Sequence, residues 1–148
     1  MTTLRIHDDR NGALALDLRD LIDLLAPRSL QASWMVSPVV LHQPVLDRAF
    51  EEFMVAGENQ LAVFAASGAP VSGAALSKAA HEASQVIWGQ FVGTLQQQDG
   101  TWIMIRAVDS TFYEVTSSDE EVLSAIRSAY KDVRIASGPV TSTPIAPV

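Results

Sequence analysis

Residues 102–115 read WIMIRAVDSTFYEV. Apolar residues alternate through Ile103, Ile105 and Ala107, then Asp109-Ser110-Thr111 interrupts them, and Phe112 to Val115 resumes a strand-like pattern. Two readings compete for the centre of this run. The Asp-Ser pair is either a piece of catalytic chemistry or the place where the backbone reverses.

Register decides between them. The segment before it, residues 85–95, is a second strand pattern, joined to 101–108 by Gln96-Gln97-Gln98-Asp99-Gly100. Setting Leu95 against Thr101 places Gly93 opposite Ile103, Phe91 opposite Ile105 and Gly89 opposite Ala107, which gives an apolar, small-residue face suited to close helix packing. The other face then carries Trp88 opposite Val108, Gln90 opposite Arg106, Val92 opposite Met104 and Thr94 opposite Trp102. A two-residue turn at Asp109-Ser110 would put Glu114 on the helix-packed face, where a carboxylate is expensive. A three-residue turn pairs Arg106 with Glu114 and Ile105 with Val115, and both faces are satisfied. Asp109-Ser110-Thr111 is therefore read as a turn whose Asp and Ser side chains bond nearby backbone groups. The assignment holds for strands without a bulge.

Outward from this hairpin, the chain alternates helix and strand signals. Leu4 and Ile6, Asn11-Gly12, then Leu14 and Leu16 predict an opening hairpin. Asp17 caps a helix over 18–26 that Pro27 ends. Residues 30–36 suit a strand, and Pro44 starts a helix over 44–56 with Val45, Leu46, Ala49, Phe50 and Phe53 on one side and Gly57 as its stop. The apolar run Leu61 to Ala66 predicts a buried strand, and Ser72 opens a helix over 73–84. Ser118 and Glu121 form an S-x-x-E capping box for a last helix over 119–131, whose buried stripe is Val122, Ala125, Ile126, Ala129 and Tyr130. The fold predicted is α+β: one domain over residues 1–136, a largely antiparallel sheet packed with about four helices. Residues 137–148 contain three prolines and no period, and read as a disordered tail.

Composition narrows the functional classes. The chain has 148 residues, 48% hydrophobic and 18% charged, enough for a core. It has no cysteine, which excludes disulfides, thiolate nucleophiles and cysteine-based zinc sites. A net charge of −7 argues against nucleic acid and anionic membranes, and favours a basic protein partner. No charge occurs between Glu58 and Lys78, but Pro70 and the small-residue composition oppose a membrane span. The opening MTTLRIHDDRNG lacks the apolar segment of a signal peptide, so the expected location is cytoplasmic.

Catalytic signatures are sparse. Ser110, His81 and an acid lack a G-x-S-x-G elbow. His7 and Asp9 could share one face of a strand and meet a metal only if His42 or another ligand joined them. His81-Glu82 lacks the second histidine of H-E-x-x-H, and neither G-x-G-x-x-G nor a Walker pattern occurs, so no cofactor is expected. Pro144 and Pro147 have PxxP spacing without flanking basic residues.

The remaining feature is the second sheet face: Trp88, Gln90, Trp102, Met104, Arg106, Phe112 and Glu114. Aromatic, Met and Arg side chains are enriched at interfaces. The expectation is a non-enzymatic, inhibitor-like or immunity-like module masking a basic protein through this face. The competing structural reading covers the face with another helix. Two further alternatives are a small hydrolase or transferase assembled from His42, His81 and Asp109, and a homo-oligomeric structural or regulatory module using the same face.

Overall fold

The computed structural model describes residues 1–43, 48–57 and 60–136. Its elements, in chain order, are β1 (Thr2–Ile6), β2 (Asp9–Arg10), β3 (Ala13–Leu14), α1 (Leu18–Leu24), α2 (Arg28–Gln31), β4 (Ser33–Ser37), β5 (Val39–Gln43), β6 (Arg48–Glu52), β7 (Met54–Ala56), α3 (Gln60–Ser67), β8 (Val71–Ser72), α4 (Gly73–Glu82), β9 (Gln85–Thr94), β10 (Ile103–Val108), β11 (Phe112–Ser117), α5 (Glu120–Ala129) and β12 (Val133–Ile135). The fold is α+β. An eight-stranded antiparallel sheet runs β12-β1-β11-β10-β9-β4-β8, with β7 also paired to β9.

The central registers follow from the alternation. Ile103 pairs with Gly93, Ile105 with Phe91 and Ala107 with Gly89. Across the next interface Arg106 pairs with Glu114 and Ile105 with Val115, so the turn has three residues. Asp109 and Ser110 adopt φ of 53° and 57°, the left-handed region that Asp and small polar residues tolerate in reversals. The Thr111 amide closes the turn on the Val108 carbonyl at 2.9 Å. The Ser110 hydroxyl is used differently from expectation: it accepts from the Gln85 side chain at 3.0 Å. A bulge does occur in β9, where Met54 faces Trp88 but Val55 faces Val86. It skips Ile87, outside the stretch paired with β10, so the register inference survives while Val86 turns into the core.

Leu4, Ile6, Trp34, Val36, Phe91, Ile103, Ile105, Tyr113 and Val115 form one continuous face, each at most 2% exposed. The helices cover it with Leu18, Leu21, Ile22, Leu61, Leu76, Ala79, Val122, Leu123 and Ile126. Gly93 is small for a steric reason: a Cβ there would lie 3.1 Å from both Trp34 and Ile103. Beneath this layer Asp17 caps α1. Its Oδ1 accepts from the Tyr113 hydroxyl at 2.6 Å and the Val86 amide at 3.0 Å. Its own amide donates to Asp20 at 2.8 Å, completing a capping box.

Four expectations are corrected. The opening hairpin is only the Asn11-Gly12 turn between β2 and β3, because Leu4 and Ile6 pair with β11 and β12 instead. The helix expected over 44–56 is β6 and β7 over its described part, with Pro44 to Asp47 outside the described residues. The strand expected at 61–66 is α3, as its alanines favour. The last helix is capped by Asp119, whose carboxylate accepts from the Glu121 amide at 2.9 Å, one residue later than the S-x-x-E motif implies. The tail expected over 137–148 lies outside the described residues.

The topology explains the second of these corrections. β4 meets residues 90–94 of β9, and β7 meets 85–88 on the same edge. The two lie end to end along β9, and the β5–β6 hairpin is an arm inserted between them. β5 approaches both β9 and β10, so the arm crosses a sheet face to reach β10. Val39 and Val108 are buried, at 0% and 7% exposure, yet stand apart from the main core. The arm therefore crosses the face opposite the helices.

Candidate functional site

That helix-free face is built from the residues interleaved with the core positions. Cross-strand pairing arranges them in three rows. One runs Thr3, Thr116, Met104, Val92, Met35. The next runs Arg134, Arg5, Glu114, Arg106, Gln90, Ser37. The third contains Phe112, Val108, Trp88 and Met54, with His7 beside Phe112 at 5.0 Å between ring centroids. Met35 and Met54 are 38% and 47% exposed, and Trp88, Gln90, Val92, Met104, Arg106 and Phe112 are half-buried.

The middle row is an ionic ladder. Glu114 is 3% exposed and lies between Arg5 at 3.4 Å and Arg106 at 3.8 Å. Arg106 also donates to the Gln90 side chain at 2.8 Å. Burial raises the Glu114 pKa, and the two guanidinium groups only partly offset it. Burial likewise lowers that of Arg106, against the pull of Glu114. Buried charges that must be paired to be tolerated fix the positions of their partners, and so hold this face in one arrangement.

At the β1 end two buried nitrogens are left over. Arg5 Nε and His7 Nε2 are buried without a hydrogen-bond partner, a condition that costs about 1–3 kcal/mol for each group. Both residues pack on Phe112, with the Arg5 guanidinium 4.8 Å from the ring centroid. Burial, Arg134 and Arg5 depress the His7 pKa, with Asp132 opposing them.

Six of the seven expected site residues share this face: Trp88, Gln90, Met104, Arg106, Phe112 and Glu114. Trp102 does not. A bend before β10 turns its indole to the helix side, where it is 2% exposed and meets Trp34 edge-on at 6.3 Å. Its Nε1 donates to Asp119 at 3.0 Å, and Arg28 sits over the ring while pairing with Asp119. Burial works to raise the Asp119 pKa, but the bonds from Arg28 and Trp102 outweigh it and hold the carboxyl below its usual range. This cluster ties α2 to the start of α5. The helix expected to cover the second face is also replaced, by the β5–β6 arm, which crosses β9 and β10.

Sequence reasoning missed Arg5 and Arg134 on this face. The available signal was Leu4 and Ile6, which by alternation point Arg5 away from the core. Pairing residues 4–6 with 14–16 hides that signal, whereas the observed partner of β1 is β11.

The catalytic candidates remain dispersed. Ser110 contacts Gln85, whereas His81 bonds Asp23 at 2.9 Å and the Ser77 carbonyl at 2.8 Å. Ser77 Oγ is 3.5 Å from His81 Nδ1, which forms a Ser-His-Asp sequence in space. Nδ1 lies 2.8 Å from the Ser77 carbonyl, which can only accept, so Nδ1 carries its hydrogen there and offers the Ser77 hydroxyl no lone pair. Asp8 accepts from the Lys131 and Asp132 amides, pinning the end of α5. No group of three His, Asp or Glu side chains is placed to hold a metal among the described residues, and the side chain of His42 lies outside them. Comparison with protein-family models, with curated proteins and with solved structures finds no match to this chain. No helix among the described residues is long and apolar enough to cross a membrane.

Proposed function

We propose that this chain is a non-enzymatic protein-binding module, inhibitor-like or immunity-like, which contacts its partner through the helix-free sheet face and acts by covering the partner's surface. One observation carries this reading: helices pack the central strands of one sheet face, while Met35, Met104, Val92, Trp88 and Phe112 stay partly exposed on the other. Methionine and aromatic side chains give a contact surface large apolar area and adaptability. The ionic ladder between them supplies fixed polar points that set register.

The net charge of −7 steers a basic protein towards the molecule over long range. Docking at the β1 end of this face obeys local charge instead, because Asp20, Asp23, Glu82, Glu120 and Glu121 sit on the helices and Glu51 and Glu52 on the arm. The test is a photocrosslinking amino acid placed at Met35 or Met104 in the native host, with Ser124 on α5 as the control position. The expected result is one adduct, to the same protein, from both sheet positions and none from Ser124. Adducts to a second copy of the chain would replace the reading with self-association. Adducts from Ser124 alone, or from no position, would refute it.

A further inference from the structure

The β1 end of the open face lies beyond the arm, which approaches β9 and β10. There Arg5 Nε and His7 Nε2 are the buried side-chain nitrogens without hydrogen-bond partners among the described residues. They flank the same ring, Phe112. Arg134, opposite Arg5 in the neighbouring strand, is exposed and paired with Asp132 at 2.9 Å. Across the wider row, Arg5, Arg106 and Arg134 stand against Glu114 and Asp132, leaving a surplus of positive charge on a molecule that is negative overall. Glu114 is already shared between Arg5 and Arg106, and its 3.4 Å contact engages a terminal nitrogen of Arg5, leaving Nε unused.

We infer that this corner receives a carboxylate from an acidic segment of the partner protein, an Asp or Glu side chain flanked by an apolar residue. The acid accepts from Arg5 Nε and from His7 Nε2 in the tautomer that carries the hydrogen there, and its apolar neighbour packs on Phe112. Binding entails a small rotation of the Arg5 and His7 side chains, because the two nitrogens are covered in the free protein. The Arg5 Nε–H shares its edge with the terminal nitrogen that already donates to Glu114, so the incoming carboxylate meets Nε through one charge-assisted hydrogen bond of fixed direction, which a lone ammonium does not impose. The inference rests on the proposed protein-binding role and specifies what the partner presents at one end of the interface.

The test pans displayed random dodecapeptides on the full chain, and then measures the enriched peptides against variants whose folding is checked by circular dichroism. Enriched peptides are expected to carry Asp or Glu beside an aromatic or aliphatic residue. Arg5→Met should weaken them about tenfold or more, the scale of a lost charge-assisted hydrogen bond. Arg5→Lys should recover only part of the loss, and the exposed change Arg134→Glu should weaken them without touching the core. Peptides that lack acids, and that Met104→Glu abolishes while Arg5→Met and Arg134→Glu leave them unchanged, would overturn the inference and leave the open face as a binding surface. Enrichment of nothing would overturn both. Displacement of acidic peptides by inorganic phosphate at equal affinity would identify a general oxyanion site and overturn the assignment to a protein carboxylate.

Discussion

On one face of the sheet Leu4, Ile6, Phe91, Ile103, Ile105 and Val115 are fully buried beneath helices; on the other, the residues interleaved with them include Thr3, Arg5, Gln90, Met104 and Met35 and stay partly exposed. The backbone is the same for both. What separates them is that the first face is selected for shape, down to Gly93 set against Trp34 and Ile103, and the second for mixed chemistry. A sheet needing only to fold could have been covered twice or made uniformly polar on its outer side. The ladder of charge between the two flanking rows is costly to bury and holds that face in one arrangement.

This contrast predicts unequal sensitivity to mutation. Phe91→Ala should destabilise by about 3–5 kcal/mol through transfer and cavity terms, whereas Met104→Ala should fall within about 1 kcal/mol, both read by urea denaturation. Equal effects would erase the distinction between the faces. Next in size, Asp17→Ala removes the α1 cap and strands the Tyr113 hydroxyl and Val86 amide, for an expected loss of about 3 kcal/mol. Tyr113→Phe, which removes one of those bonds, should cost only about 1 kcal/mol.

The histidines sharpen the comparison through pH. His7, on the open face, has its pKa lowered by burial and then by Arg134 and Arg5. Its contribution is present above the unfolded value and is lost as pH falls below about 6.5 towards the folded value. His81, on the helix layer, has its pKa raised by the Ser77 carbonyl and then by Asp23. Its contribution is present below about 6.5 and is lost as pH rises through the folded value. Melting temperature measured across pH 5–8 should therefore change in opposite senses in His7→Gln and His81→Gln. Smallest of all, Met35→Glu should leave stability within about 0.5 kcal/mol, as surface changes do, while removing the crosslinked partner adduct.

The central hairpins were legible because alternation, a glycine-containing loop and one charge-placement argument all select the same register. Residues 44–56 were not. VLDRAFEEFMVAG satisfies helical spacing, yet β7 finds its backbone partners in β9, some thirty positions along the chain, and tertiary pairing overrides local preference. The run at 61–66 is too short for period to separate strand from helix. Six site residues followed from parity along the strands, and parity failed at Trp102 because a bend lies between it and β10. Arg5 was hidden by a wrong strand partner rather than by a wrong strand.

Hydroxyl-radical footprinting of the free protein, read residue by residue by mass spectrometry, tests the one-sided sheet most directly. The account predicts rapid oxidation of Met35 and Met54, intermediate modification of Met104, Trp88 and Phe112, and protection of Trp34, Phe91 and Trp102. Protection of Met35, Met104 and Trp88 to the same degree as Trp34 would show that both faces are covered, and would contradict it.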